Sequence, residues 1–205
     1  MKVLLLNGSI HTDGTTAAAL AEVARALQEE GIETETVHIG AKPVSDCLAC
    51  LQCRTTGKCV IDDGVNTFIE KAAQADGFVF GTPVYYAHPS GRILSFLDRV
   101  FYAGANAFRF KPSASVAVAR RAGTVASFDV LNKYFTISSM PVVSSTYWNN
   151  VFGANAADTR LDEEGLCTMR NIGKNMAWML KCIDIAKQQG INPPEQVRAR
   201  TNFIG

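Results

Sequence analysis

At 205 residues, 47% of them apolar and 19% charged, the chain carries enough apolar material for the core of one generous domain, and a second full domain is not expected. Its 20 basic and 19 acidic residues leave a formal charge of +1 with no long run of either sign, so nothing points to a nucleic acid or an anionic membrane as partner. The opening run Met1 to Leu6 meets Asn7-Gly8-Ser9 too soon for a signal peptide or a membrane span, and a cytoplasmic protein is expected.

Val3 to Leu6 is a continuous apolar run, the pattern of a central parallel strand covered on both faces. A small-residue loop from Asn7 to Thr16 follows, and Leu20, Val23, Ala24 and Leu27 then recur at helical spacing until Gly31. Ile32 to Ile39 reads as a more polar edge strand, with a cysteine-rich loop from Cys47 to Cys59 beyond it. Val65 to Ala75 reads as the second helix, started by Asp62-Asp63-Gly64. Gly77 to Phe80 is the third strand, interrupted by the stretch Gly81 to Pro89. The third helix runs from about Ser90 to Phe101, with Ile93, Leu97, Val100 and Phe101 on its apolar face.

Val116 to Ala119 gives a fourth strand, Arg120 to Gly123 a loop and Thr124 to Phe135 a fourth helix. Met140 to Val143 reads as the fifth strand, and Tyr147-Trp148-Asn149-Asn150 after it either covers a ligand or packs. Leu166 to Gln189 gives a long last helix, on which Cys167 and Cys182 read as buried small hydrophobes. The tail from about 190, with Pro193-Pro194, is expected along the surface or against a neighbouring subunit. Strand and helix alternate five times, which predicts an α/β chain: one domain over 1–205, an open five-stranded parallel sheet with helices on both faces. Ligands of such sheets bind beyond the carboxyl ends of the strands. The loops after strands one, three and four therefore converge on one crevice, with the cysteine loop expected at the same end.

Between Gly8 and Thr16, backbone N–H groups and the hydroxyls of Ser9, Thr12, Thr15 and Thr16 gather at a helix N-terminus, where unsatisfied donors and the helix dipole favour an anion. Neither a nucleoside-triphosphate loop nor G-x-G-x-x-G is present. With only His11 nearby to add charge, the turn suits a single terminal phosphate such as the tail of FMN, and an ordinary Ser/Thr-capped helix is the alternative. The stretch Thr82, Pro83, Val84, Tyr85, Tyr86, Ala87 offers a rigid aromatic shelf for a flat redox ring, with backbone N–H groups for its N5 edge. Arg120, Arg121 and Gly123 could bring charge and donors to the opposite edge. The alternatives are packing tyrosines and solvated arginines.

Four of the six cysteines fall as C-x2-C-x2-C-x5-C at Cys47, Cys50, Cys53 and Cys59. Thiolates so placed can surround a cubic cluster, and the run is close to the compact ferredoxin pattern without matching its C-x3-C-P ending. Zinc sites usually pair two separated knuckles, whereas this loop offers one crowded turn. Cluster, zinc and unmetallated or oxidised thiols are all left open by the spacing. His38 and His88 have no evident partner, no Ser-His-Asp order is present, and Asp62-Asp63 reads as a helix start rather than a carboxylate pair.

The run Gly8 to Thr16, the run Gly81 to Tyr86 followed by Gly91 and Asp98-Arg99, and the loop Cys47 to Cys59 together resemble the flavodoxin-like NADPH-dependent FMN reductase superfamily, and within it the iron–sulfur flavoproteins. The first loop departs from the usual pattern, with Ile10-His11 where Pro-Arg is common and Thr15-Thr16 where Asn-Thr is. The resemblance implies a flavodoxin-like fold, FMN as cofactor and a homodimer or homotetramer. It also implies that Cys47, Cys50, Cys53 and Cys59 ligate one [4Fe–4S] cluster. The function expected is an FMN-dependent oxidoreductase between NAD(P)H, or a ferredoxin-like donor, and a small-molecule acceptor, the flavin carrying the chemistry and no side chain acting as nucleophile or general base. A cluster-free FMN, quinone or azo reductase, or a non-enzymatic electron carrier or redox sensor, is the alternative.

Overall fold

Successive residues of the first strand, β1 (Lys2–Asn7), point to opposite faces, and both faces are covered. The computed structural model describes residues 1–197, 199, 202 and 203. Val3 and Leu5 join Val79, Val116, Val118 and Val151 beneath α1 (Thr15–Glu29) and α7 (Glu163–Gln188). Leu4 and Leu6 join Phe78 and Phe80 beneath α3 (Val65–Ala73), α4 (Gly91–Gly104) and α5 (Thr124–Ile137). Each such side chain stabilises the fold by roughly 1.5–3 kcal/mol when fully buried. The second layer is aromatic: Phe78 and Phe108 lie 4.7 Å apart between ring centroids, and Phe80 and Phe135 5.3 Å apart.

The remaining strands are β2 (Glu33–His38), β3 (Gly77–Tyr85), β4 (His88–Pro89), β5 (Ser113–Ala119) and β6 (Asn150–Phe152). The parallel strands lie in the order β2-β1-β3-β5-β6, and β4 folds back antiparallel on β3. Counting the parallel strands alone, the order is 2-1-3-4-5, with its reversal between β1 and β3. Short helices α2 (Cys53–Thr56) and α6 (Ala156–Thr159) complete the set. Among the described residues no helix is long and apolar enough to cross a membrane.

Four expectations are corrected. The third strand does not stop at Phe80: it runs through Pro83 to Tyr85, because β5 pairs with it as far as Pro83↔Val118. The fifth strand is not Met140 to Val143. That segment makes a single bridge, Ser113↔Val142, then leaves the sheet, and the strand forms at Asn150–Phe152 opposite Ala117–Ala119. The intervening excursion is held by side-chain bonds with α7 instead of by the ladder: Ser145 Oγ donates to Thr168 O at 2.7 Å and Asn175 Nδ2 to Ser144 O at 2.9 Å. Tyr147 and Trp148, half-exposed, meet edge to face within it, their ring centroids 5.0 Å apart.

Cys167 and Cys182 are exposed, because the buried stripe of α7 runs Gly165, Thr168, Met169, Ile172, Gly173, Met176, Ala177, Leu180 and passes them by. Asp63 does not start α3, whose N-cap is Gly64 with no side-chain cap. In the tail, Gln196 Oε1 accepts hydrogen bonds from Arg109 Nη2 and Ser139 Oγ, so this part lies along the surface. The expectation for positions 198, 200, 201, 204 and 205 lies outside the described residues.

The α1–α7 contact depends on Gly173. A Cβ there would stand 2.7 Å from Ala26 Cβ and 2.9 Å from Val23 O. Alanine's helix propensity favours the substitution by about 0.8–1 kcal/mol. Forcing two packed helices apart opposes it by about 1–3 kcal/mol and prevails. Gly173→Ala is therefore expected to lower the urea midpoint with an unchanged m-value, measured by equilibrium unfolding.

Candidate functional site

Three loops meet beyond the carboxyl ends of β1, β3 and β5. The first is shaped by Asn7, which is wholly buried. Its Oδ1 accepts the Ser9 N–H at 2.9 Å, its Nδ2 donates to His11 O at 3.0 Å, and Ser9 Oγ accepts the His11 N–H at 3.1 Å. Nδ2 also lies 3.0 Å from His38 Nδ1, the partner the sequence had not supplied. His11 folds back on the start of α1, its Cβ 3.0 Å from where a Cβ on Gly14 would stand.

Helix α1 itself begins without a capping side chain or an acidic residue in its first turn. In that turn Thr16 is buried, and its Oγ1 has no hydrogen-bond partner among the described residues. Leaving a buried hydroxyl unsatisfied costs about 1–3 kcal/mol. An uncapped N-terminus with an orphaned hydroxyl beside it is what an anion would complete. Ser9, Thr15 and Thr16 thus come together at one turn, with His11 exposed at its rim.

The second loop is a two-residue hairpin. Tyr85 pairs with His88, and Tyr86 and Ala87 between them have φ of 51° and 57°. Type I′ turns need both central residues at positive φ, normally glycine or asparagine, and here each non-glycine residue adds about 1–2 kcal/mol of strain. Both tyrosines are solvent-exposed, so neither is a core aromatic. The hairpin is fastened to the first loop: Thr82 Oγ1 accepts the Ser90 N–H at 3.0 Å, and Ser90 Oγ donates to Gly8 O at 3.1 Å. Ser90 also caps α4, accepting from the Ile93 N–H.

The third loop presses on the second. Gly123 has φ +88°, and a Cβ on it would lie 2.5 Å from Ala87 Cα and 3.0 Å from Val84 Cγ1. The stretch Pro83 to Ala87 and the loop Arg120 to Gly123 are therefore in contact, with Arg120 and Arg121 exposed to solvent. Like α1, helix α5 begins with no side-chain cap and no acid in its first turn.

The cysteine loop sits elsewhere than expected. It leaves the carboxyl end of β2, but the chain then runs down α4: Arg92 on that helix bonds Lys42 O and Ala41 O, and Arg99, two turns on, bonds Ser45 O at 3.2 Å. Cys59 Sγ lies 3.3 Å from Arg99 Nε and Cys53 Sγ 3.8 Å from Tyr102 O, both on α4. Arg99 lies nine residues beyond Ser90, about 13 Å along the helix at the α-helical rise. Cys47, Cys50, Cys53 and Cys59 line one pocket there. Ala49 and Leu51, on either side of Cys50, hold φ of 50° and 59°, a left-handed backbone of the kind that turns N–H groups into a concavity. Asn66 clamps the backbone of Cys59 from both sides, at 2.8 Å to its N–H and 2.8 Å to its carbonyl. Among the described residues no three His, Cys, Asp or Glu side chains are gathered closely enough for one metal ion.

Arg99 and Asp63 were missed by the sequence reading. Arg99 is 2% exposed, and Asp63 takes both of its terminal nitrogens, at 2.5 and 2.6 Å. Hydrogen bonding to Asp63 raises the guanidinium pKa against the burial that lowers it. The signal was present: Arg99 falls on the apolar stripe of its helix with Ile93, Phe96, Leu97 and Val100, where a charge needs a partner.

An open sheet of order 2-1-3-4-5, with its loops gathered at the strand ends, defines a doubly wound protein of the flavodoxin-like class. A flavodoxin from the domain Archaea superposes with a TM-score of 0.61 at 11% identity, covering 88% of this chain and 99% of that one. The chain belongs to the NADPH-dependent FMN reductase family, whose sequence model matches residues 1–154. It is also similar to an iron–sulfur flavoprotein of Methanocaldococcus jannaschii, 34% identical over 192 residues that span 89% of this chain and 99% of the relative. An iron–sulfur flavoprotein of Methanosarcina thermophila is 28% identical over 190 residues, 89% of this chain and 97% of that one.

Gly123→Ala adds a Cβ where a neighbouring backbone atom already stands and imposes a left-handed conformation on alanine. It is expected to destabilise the chain by about 1–3 kcal/mol in equilibrium unfolding. Faster amide exchange should be confined to residues 82–90 and 120–124.

Proposed function

We propose that the chain is an FMN-dependent oxidoreductase passing electrons between NAD(P)H, or a ferredoxin-like donor, and a small-molecule acceptor, with a [4Fe–4S] cluster as its one-electron accessory. The observation that carries the FMN assignment is the orphaned Thr16 Oγ1 at the uncapped start of α1. Ser9, His11, Thr15 and Thr16 would hold the phosphate by hydrogen bonds, with the helix dipole supplying what a missing arginine does not. Pro83, Val84, Tyr85, Tyr86 and Ala87 would orient the ring, and Arg120, Arg121 and Gly123 would face it from the other loop. FMN, when bound, supplies two-electron acceptance with one-electron release, so the chain need supply only position and charge.

The residues fit this role. The hairpin Tyr85 to His88 is held in place by Thr82, Ser90 and Gly123, so the donors it presents are fixed before anything binds. Solvent-exposed Arg120 and Arg121 favour negative charge at the neighbouring edge. Cys47, Cys50, Cys53 and Cys59 would hold the cluster in the pocket on α4. The surface groove bounded by Cys47, Arg54, Tyr102 and Arg109 gives a donor protein or an acceptor access to that pocket.

An absorption spectrum with iron and sulfide assays on anaerobically purified protein tests both cofactors. Flavin bands with about four irons per chain are expected; no flavin bands would remove the central claim, and flavin without iron would leave a cluster-free reductase. NADPH oxidation with excess acceptor separates an enzyme from a carrier, since a carrier binds FMN without steady turnover. Thr16→Val separates the phosphate site from a capped helix. It should leave the FMN-free chain as stable as before or more so, while a lost bond to a charged group, about 1.5–3 kcal/mol, raises the FMN dissociation constant ten- to a hundredfold. Unchanged affinity would place the phosphate elsewhere.

A further inference from the structure

The guanidinium of Arg99 is a fully committed buried cation. It has five N–H donors, and five acceptors surround it. Nη1 reaches Asp63 Oδ2 at 2.5 Å and Ser45 O at 3.2 Å. Nη2 reaches Asp63 Oδ1 at 2.6 Å and Ile61 O at 3.1 Å. Nε reaches Cys59 Sγ at 3.3 Å. The arginine side chain is 1% exposed and that of Asp63 22%.

The acceptors lie at both ends of one loop. Ser45 precedes Cys47, whereas Cys59 is the last of the clustered cysteines and Ile61 and Asp63 follow it. One planar group therefore closes the base of a loop of nearly twenty residues against α4, and it does so with a cation placed on a sulfur. Lysine could supply the charge but not the fork, since an ammonium presents three donors from a single nitrogen.

We infer that the Arg99–Asp63 pair is the positioning element of the cysteine pocket, fixing segment 45–63 on α4 and setting the electrostatic field at whatever redox centre the four cysteines hold. The field part rests on the cluster reading given above; the positioning part does not. When one electron enters such a centre and no bond is made or broken, its charge becomes more negative by one. A cation beside the sulfur favours that state. Asp63, which takes the terminal nitrogens while Cys59 takes Nε and which is nearer solvent, offsets part of the field. Removing Arg99 and removing the charge of Asp63 therefore act in opposite directions, which a purely structural pair would not do.

The test uses the FMN-loaded protein purified without oxygen, with Arg99→Gln, Arg99→Lys and Asp63→Asn. Two readouts are taken: amide hydrogen exchange over residues 45–63, which needs no iron, and the midpoint potential of the iron–sulfur signal in a dithionite titration followed by electron paramagnetic resonance. Arg99→Gln is expected to speed exchange over 45–63 at least tenfold while leaving α1 and the FMN content unchanged, and to shift the midpoint to a more negative value. Asp63→Asn, which keeps the cation, should shift it to a more positive value, and Arg99→Lys should hold the midpoint near that of the parent while losing part of the exchange protection. Loss of iron from Arg99→Gln with retention in Arg99→Lys supports the inference equally. Unchanged exchange in both Arg99 variants, or shifts of the same sign in Arg99→Gln and Asp63→Asn, would overturn it. A parent protein that binds FMN but no iron would sink the cluster reading and the field with it, and exchange alone would then decide the positioning role.

Discussion

The close approach of Gly8 to Gly81 is the constraint on which the site depends. The Gly8 N–H donates to Gly81 O at 2.8 Å, and a Cβ on Gly8 would stand 2.9 Å from that same oxygen. Where β1 ends, its backbone would otherwise lose a partner, and the contact carries the pairing one residue further into the loop. With the first loop held against β3, Ser90 can reach Gly8 O and Thr82 can reach Ser90. The hairpin that follows is then placed where Gly123 meets it. Three segments far apart in sequence become one rigid rim through a few hydrogen bonds and two glycines that leave no room for a side chain.

The same economy appears on the other side of α4, where the problem is charge instead of backbone pairing. A guanidinium in an apolar layer is tolerated only when its donors are satisfied, and segment 45–63 supplies the acceptors. The helix thus links the two regions. Its first residue is capped by the serine that ties the hairpin to the first loop, and its middle holds the arginine that ties down the thiols. What separates the regions is helical rise, about 13 Å between Ser90 and Arg99.

Much of the architecture could be read from the chain. An unbroken apolar run at Val3 to Leu6 implies cover on both faces, and the two core layers divide its residues alternately. Small residues before a long amphipathic helix imply a tight turn at its N-terminus, and Asn7, Ser9 and Thr16 gather there. Elsewhere local pattern misled. Met140 to Val143 has strand composition, yet on the edge of β5 away from β3 the ladder forms with Asn150 to Phe152, a segment too short and too polar at its start to announce itself. Cys167 and Cys182 look like core residues by type, but the register of α7 places them outside its buried stripe.

By itself the sequence determined the alternation of strands and helices, the two-sided burial of the central strands, and the clustering of four thiols within one short loop. Those features are local: periodicity, residue size and spacing specify them whatever the rest of the chain does. The tertiary structure alone decided where the thiols would go. Nothing between Cys47 and Cys59 reveals that segment 41–45 runs down α4 or that Arg99 closes the loop, because two of the guanidinium's acceptors are backbone carbonyls, which every residue carries alike, and its carboxylate and sulfur partners are distant in sequence. An aspartate read as a helix start became the partner of a buried cation for the same reason: a buried charge takes the partner that packing brings to it, and packing is a property of the whole fold.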